Sequence, residues 1–592
     1  MKPRHLVCLI ICGMLLTIPA VAWAQAAQEP KDIDLIWAVK IPVRDGVKLN
    51  GTVYKPKPQA EPLPVVFTFT PYISDTYHER AMYFSRNGYV YVLVDVRGRG
   101  NSEGKFEPFV NEGRDGHDVV EWLAKQPWSN GKVTMWGGSY AGFDQWTVLK
   151  EFPPHLATIV PVAAAHPGVD FPFQNNIFTS YETQWLTYTS GATPQVNLFG
   201  EGSYWRQKFL EMYMQHTAFR DLDKIVGNPS PVFQKWLDHP IPDAYYDAMV
   251  PSAEQYKRMS VPILSITGHY DGDQPGAMEY YKRHMQFGTA EAKENHFLII
   301  GPWDHAGTRT PRREVGGLRF GEASIMDMNK LHREWYDWTM KGGKKPEFLK
   351  KRVAYYVAGP GAENWMYADS LETISNEKRT LYMHSPGGTS DVFNSGSLRV
   401  DAPGEQKPDT WVYDPLDTRP GELEKQPAPN YLVDQTDVMN LLGNGAVFHS
   451  AQFSEAMEIS GYIKLTAWIA MDVPDTDFAA ALYEIQPDGT SVRLTEQLLR
   501  ARYRDSLREE KLAKPGEINR YVFDKFMWFS RRISKGSRLR LLIACPNSIQ
   551  IEKNYNSEAV VANESGKDAR TAHVSLFHDS KHPSTMELPI VK

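Results

Sequence analysis

Apolar positions lay out the first part of the chain as alternating strands and helices. Ile33 to Tyr54 alternates around Arg44-Asp45-Gly46, which predicts two strands joined by a hairpin turn. Leu63 to Thr70 is a short apolar, β-branched run that suits a strand buried on both faces. His78 to Arg86 has helical spacing, Tyr89 to Asp95 is a second buried strand, and Gly113 to Lys125 is again helical. Lys132 to Trp136, Ser139 to Glu151 and Leu156 to Ala163 continue as strand, helix and strand. Such alternation predicts a largely parallel sheet with helices on both faces.

The pattern then breaks. Residues 164–255 are rich in Pro and aromatics, with helical patches at Tyr204 to His216 and Ser230 to Leu237, and predict an insertion over the carboxyl edge of the sheet. Strand and helix alternate again through Val261 to Gly268, Pro275 to Phe287, His296 to Gly301 and Asp327 to Lys341. Beyond about 350, short alternating runs separated by Gly, Pro, Asp and Asn take over: Lys351 to Val357, Arg379 to His384, Ala456 to Ile469, Asp477 to Ile485 and Ser537 to Ile543. This is the pattern of an antiparallel sandwich or jelly roll. The expected division is an α/β domain at 25–163 and 256–348, an insertion at 164–255 and a β domain at 349–592, with Pro415 to Pro429 as a long surface loop.

The amino terminus differs from the rest. Lys2 and Arg4 precede an apolar stretch from Leu6 to Ile18, and Ala22-Trp23-Ala24 supplies a small-x-small cleavage pattern. Residues 1–24 are therefore expected to be a signal peptide, and the mature protein to be exported to the periplasm or the medium without a membrane anchor. Cleavage would remove Cys8 and Cys12, leaving Cys545 alone, so no internal disulfide is expected. Cys545 ends a strand-like run and is expected as a buried apolar side chain. Lys plus Arg is 65 against Asp plus Glu at 71, a net charge of −6, which provides no electrostatic footprint for nucleic acid.

The strongest local signal for chemistry is Gly137-Gly138-Ser139-Tyr140-Ala141-Gly142. It matches Gly-x-Ser-x-Gly except that Ala141 holds the last place and Gly142 follows. A serine on a sharp strand-to-helix turn needs small neighbours, and here a strand precedes and a helix follows. A hydroxyl nucleophile needs a base, and the base an orienting carboxylate. Ile263 to Asp271 ends one strand at an acid, and Phe297 to His305 ends the next at a histidine. The order Ser139, Asp271, His305 is that of α/β-hydrolases, whose strand ends converge on one crevice. His269 and Asp304 lie one or two residues away as alternative imidazole and acid. An oxyanion would need two donors. The backbone N–H of Tyr140 is one, and the hydroxyl of Tyr72, in Thr70-Pro71-Tyr72, is a candidate for the other.

Five motifs in order resemble the cocaine-esterase/NonD-type hydrolases, a group that includes X-Pro dipeptidyl-peptidases, α-amino-acid ester hydrolases and glutaryl-cephalosporin acylases. They are Thr70-Pro71-Tyr72, Asp95-Val-Arg97-Gly-Arg-Gly-x-Ser102-Glu-Gly, Gly137 to Gly142, His269-Tyr-Asp271-Gly and Gly301-Pro-Trp-Asp-His305. Asp475-Thr-Asp477-Phe and Arg500-Ala-Arg-Tyr-Arg504 look like the family's carboxyl-terminal jelly roll. The resemblance implies an α/β-hydrolase fold with a helical cap, followed by an all-β jelly roll. It implies Ser139 as nucleophile, Asp271 as acid, His305 as base, and Tyr72 with the Tyr140 N–H as oxyanion donors. The cap would help to form the acyl pocket, and Asp95 and Arg97 would tie a strand end to a loop.

For the substrate, the α-amino-acid ester hydrolases hold an ammonium with a carboxylate cluster. The matching stretch here, Asp271-Gly272-Asp273-Gln274, supplies one carboxylate beyond the catalytic acid, and Asp170 to Asn176 in the cap has amides. Asp273, Gln274, Asn175 and Asn176 are the candidate substrate contacts. The expected function is hydrolysis of a small-molecule ester or amide through an acyl-enzyme, with no metal and no organic cofactor. An X-Pro dipeptidyl-peptidase is the alternative within the class. A non-catalytic exported carbohydrate-binding protein is the alternative outside it. A homo-oligomer is left open by the sequence.

Overall fold

The computed structural model describes residues 32–436 and 438–592, so the leader expected at 1–24, with Cys8 and Cys12, lies outside the described residues. Ten strands form the first sheet: β1 (Ile33–Pro42), β2 (Lys48–Pro56), β3 (Leu63–Thr70), β4 (Val90–Asp95), β5 (Ser129–Ser139), β6 (Leu156–Ala164), β7 (Ile263–Tyr270), β8 (His296–Asp304), β9 (Val353–Val357) and β10 (Asn364–Ala368). Their spatial order is β1-β2-β4-β3-β5-β6-β7-β8-β9-β10. From β4 to β9 every pairing is parallel, and antiparallel pairs close both edges. All six residues of β4 are buried, as expected of a strand covered on both faces. The helices α1 (His78–Arg86), α2 (Glu112–Ala124) and α3 (Tyr140–Leu149) fall within one or two residues of their expected positions.

Two strands fall outside the expected division. β9 and β10, placed by pattern in the β domain, complete the first sheet: Leu298 of β8 lies opposite Val353, and Val353 opposite Ala368. The boundary expected at 348/349 therefore falls within the α/β sheet. Val353–Val357 is five buried residues, and periodicity carries no information about which sheet such a strand joins. Ala456 to Ile469, expected as one run, is two strands, Met457–Gly461 and Lys464–Met471, broken where Gly461 takes a φ of 143°.

The insertion over the carboxyl edge is helical, with α4 (Tyr181–Tyr188), α5 (Gly202–Gln215) and α6 (Pro231–Leu237) among its elements. α6 begins as a sequence rule anticipates: Ser230 Oγ accepts the Phe233 N–H at 3.3 Å, and Pro231 fills the first helical position. Trp185, Trp205, Phe209 and Trp236 bury their rings in the same core as the sheet face beneath α2 and α3. The second domain is a thirteen-stranded β structure wrapped around one apolar core. Cys545 is fully buried there beside Trp411, and burial pushes its thiol up to about 12.

The motifs Asp475 to Asp477 and Arg500 to Arg504 make the seam between this domain and the cap. Arg500 is buried and binds Asp477 through two nitrogens at 2.8 and 2.9 Å, Glu552 at 2.8 Å and the carbonyl of Asn176 at 3.0 Å. Arg502 pairs with Asp475 at 2.8 Å, and Asn554 donates to both aspartates. A turn of the cap and the β domain thus share one polar network.

Candidate active site

β5 delivers Ser139 at its last position, directly before α3. Ser139 has φ 62° and ψ −127°, a strained backbone for a residue with a side chain. The glycines around it explain how the turn is made. A Cβ on Gly137 would lie 2.5 Å from that of Ala141, and one on Gly142 would lie 2.6 Å from the Val162 carbonyl oxygen. The close approach of helix to strand thus falls on Gly142, which is why Ala141 is tolerated one place earlier. Beside the turn, the buried Gln145 of α3 ties β5 to β6. It donates to the carbonyls of Gly137 and Val160 at 3.0 and 2.8 Å and accepts the Val160 N–H at 2.7 Å.

β7 and β8 end one residue before Asp271 and His305, and their parallel pairing brings these residues together. His305 Nδ1 lies 2.7 Å from Asp271 Oδ1. The same oxygen accepts the Asp273 N–H at 3.0 Å, and Oδ2 accepts the Thr267 hydroxyl at 3.0 Å. Burial pushes the Asp271 carboxyl up, but the charge and hydrogen bond of His305 more than offset it, leaving it below its ordinary value. Burial likewise pushes His305 down, yet Asp273 and Asp271 together hold it above its ordinary value. With Nδ1–H committed to Asp271, Nε2 is the nitrogen available as a base. His269 is excluded from that role, being buried beside Trp528 with burial depressing it to about 3. Asp304 turns to the Gly307 N–H at 2.7 Å.

Tyr72 follows β3 by two residues, and its hydroxyl is close enough to the Ser139 side chain for that side chain to ease the rise that burial imposes on the phenol. The indole N–H of Trp185, from the cap, donates to that hydroxyl oxygen at 3.0 Å. Burial holds the phenol well above its ordinary value, so it is a donor rather than an anion at neutral pH. Arg99, fully buried, pins the loop: Nε donates to the Pro71 carbonyl at 2.8 Å, and Nη1 reaches the carbonyls of Thr189, Ser190 and Gly191 in the cap. The neighbouring Asp95 and Arg97 take the tying roles expected of them. Asp95 accepts the Ser74 N–H at 2.7 Å, and Arg97 joins Asp45 and Asp115, each at 2.7 Å.

The four candidate substrate contacts divide. Asp273 faces the site, with Oδ2 3.8 Å from His305 Nδ1, and burial holds its carboxyl above the ordinary range. Asn175 borders a cavity of about 1710 Å³ that runs between the cap and the β domain and reaches Gly272. Gln274 and Asn176 line the same cavity, with their amides bonded to backbone. Gln274 is buried and gives both ends of its amide to backbone, donating to Gly268 and Trp528 carbonyls at 2.9 Å and accepting the Trp528 N–H at 2.6 Å. Asn176 donates to the Leu507 carbonyl at 2.7 Å and belongs to the domain seam. Both are amides close in sequence to site residues, and sequence spacing does not say which way a loop amide turns.

Pattern reading missed Trp185, Arg99 and Arg309. Arg309 Cδ and Nη1 would stand 2.7 and 2.8 Å from a Cβ on Gly138, so this glycine makes room for a cation felt by Asp271, Asp273 and His305. Its only signal in sequence is its position four residues after His305.

A ten-stranded, mostly parallel sheet with a serine on a strained strand-to-helix turn and an Asp–His pair at the next two strand ends defines an α/β-hydrolase enzyme. Comparison places the chain more closely. The model of the X-Pro dipeptidyl-peptidase (S15) family matches residues 45–307, and that of the X-Pro dipeptidyl-peptidase C-terminal non-catalytic domain matches 340–587. Cocaine esterase of Rhodococcus sp. (strain MB1 Bresler) is 25% identical, over 94% of this chain and 98% of that one. An α-amino acid ester hydrolase superposes with a TM-score of 0.80 at 20% identity, covering 98% of this chain and all of the other. A CocE/NonD family hydrolase from Staphylococcus aureus does so at 0.66 and 18%, covering 94% of each chain. The chain belongs to this family of serine hydrolases.

Proposed function

We propose that the protein is an exported acyl hydrolase that cleaves an ester or amide through a Ser139 acyl-enzyme. His305 Nε2 takes the proton of Ser139 as its oxygen attacks the carbonyl carbon. The negative charge that develops on the carbonyl oxygen meets the Tyr72 hydroxyl and the Tyr140 N–H. His305 then protonates the leaving group as the tetrahedral species collapses, and water, deprotonated by the same imidazole, releases the acid. Asp271 holds the ring in its working tautomer and stabilises the imidazolium. The observation that supports this reading is a serine held at φ 62° on the turn after β5, together with an imidazole bound to a buried carboxylate at 2.7 Å where the parallel strands β7 and β8 end.

A fluorophosphonate should add one label, on Ser139, that is absent from Ser139→Ala. No adduct on the folded wild type would overturn the mechanism. The carboxyl of Asp273 and the name of the matching family support a second reading, cleavage after a dipeptide whose amino terminus binds that acid. A panel of nitrophenyl esters and dipeptidyl-proline anilides separates the two: turnover of the anilides alone would favour the peptidase.

A further inference from the structure

The Tyr140 side chain turns away from the reaction centre and is held at its far end more firmly than packing requires. Its hydroxyl donates to Glu112 Oε1 at 2.6 Å and accepts the Phe109 N–H at 2.7 Å. Phe109 presents that N–H from a backbone with φ 68°, a conformation costly for a residue with a side chain. Glu112 opens α2 and is buried, and its second oxygen has no hydrogen-bond partner. Asp144, one turn beyond Tyr140 on α3, is also buried, with both carboxyl oxygens unpartnered. Burial holds both acids above their ordinary values, and Glu112 adds to the rise of Asp144. Around the phenol ring stand Phe109, Phe143 and Trp185, with centroids at 4.7, 5.5 and 5.7 Å.

Such an arrangement is expensive for a core. A buried carboxyl with one unmet oxygen is destabilising, and a leucine of similar size would fill the same space without that cost. The acid stands where it can grip the residue next to the nucleophile. Tyr140 is the first residue of α3, so its N–H has no partner within the helix and is free for an oxyanion. With Cα fixed by the turn and Oη fixed by Glu112 and Phe109, the residue has little freedom to rotate the peptide plane between Ser139 and Tyr140. Misplacement by an ångström or less is enough to weaken a donor aimed at a developing charge.

We propose that Glu112 is a positioning residue for acyl transfer: by binding the Tyr140 hydroxyl it holds the Tyr140 backbone N–H in line with the oxyanion. This rests on the serine-hydrolase mechanism proposed above. The full chain is assayed with a neutral nitrophenyl ester as wild type, Tyr140→Phe, Glu112→Leu and Glu112→Gln. Tyr140→Phe and Glu112→Leu should lower kcat by about tenfold with KM within about twofold, because the donor acts in the transition state. Glu112→Gln keeps an acceptor oxygen and should recover most of the loss. An arylboronic acid, whose serine adduct places an oxygen at the oxyanion position, should bind more weakly in the same order. The proposal fails if folded Tyr140→Phe and Glu112→Leu keep wild-type kcat, or if Glu112→Gln is as impaired as Glu112→Leu. Should Tyr140→Phe not fold, the contrast between the two Glu112 variants decides alone. A wild type that turns over no ester and takes no fluorophosphonate would instead sink the mechanism itself.

Discussion

Asp273→Asn isolates the electrostatics of the base. The Asp273 carboxyl makes no hydrogen bond among the described residues, and its Oδ2 lies 3.8 Å from His305 Nδ1, so the amide removes charge and little else. Opposite unit charges about 4 Å apart interact by about 1 kcal/mol in water and about 4 kcal/mol at an effective dielectric of 20. The His305 side chain is 38% exposed, which favours the lower part of that range. About 1.4 kcal/mol, or about one pH unit, is the working figure. The direction follows from what the charge does: a neighbouring carboxylate favours imidazolium, so its removal lowers the pKa of His305. Catalysis needs the neutral ring. The acid limb of kcat/KM, which the raised His305 carries above the ordinary imidazole range in the wild type, should therefore move to lower pH by about one unit in the variant. Because Asp273 is raised too, the wild-type limb reports both groups, whereas the variant should titrate as one. Rates with a neutral ester between pH 5 and 9 give the profile, and the plateau near pH 8 should stay within about threefold. A limb that stays in place, or moves up, would refute the reasoning.

Tyr72→Phe removes the proposed side-chain donor and should lower kcat by about 10²-fold with KM little changed, as measured on the same ester. An unchanged kcat would assign the oxyanion elsewhere. Arg500→Met strips the charge from a buried network and leaves Asp477 and Glu552 facing each other, for a loss of about 3–5 kcal/mol. Without the cation the two ionised carboxylates are left uncompensated, so the deficit is largest where both are charged and shrinks as pH falls and they protonate. The thermal midpoint should fall more at pH 8 than at pH 5, and an equal fall at both would count against the network.

Local chemistry was legible along the chain wherever a short segment carries its own constraint. The strand-turn-helix around Ser139 is one such segment, because only small residues fit where α3 meets β5 and β6. The endings of β7 and β8 at Asp271 and His305 are another, because parallel strands place their carboxyl ends side by side. Hydrophobic period likewise separated the α/β part from the β part. What the chain could not reveal was which distant partner each side chain meets. β9 and β10 read as β-domain strands because a short buried strand does not announce its sheet. Gln274 and Asn176 line the cavity, but what their segments bond to is set by the domain packed against them, here through Trp528, Leu507 and Arg500. Trp185 and Arg99 come to Tyr72 and its loop only once the cap is folded over the sheet. Glu112 meets Tyr140 across 28 residues of chain. Period and turn chemistry act over a few residues, whereas hydrogen bonds and charges act across whatever surfaces the fold brings together, and those surfaces exist only in the tertiary structure.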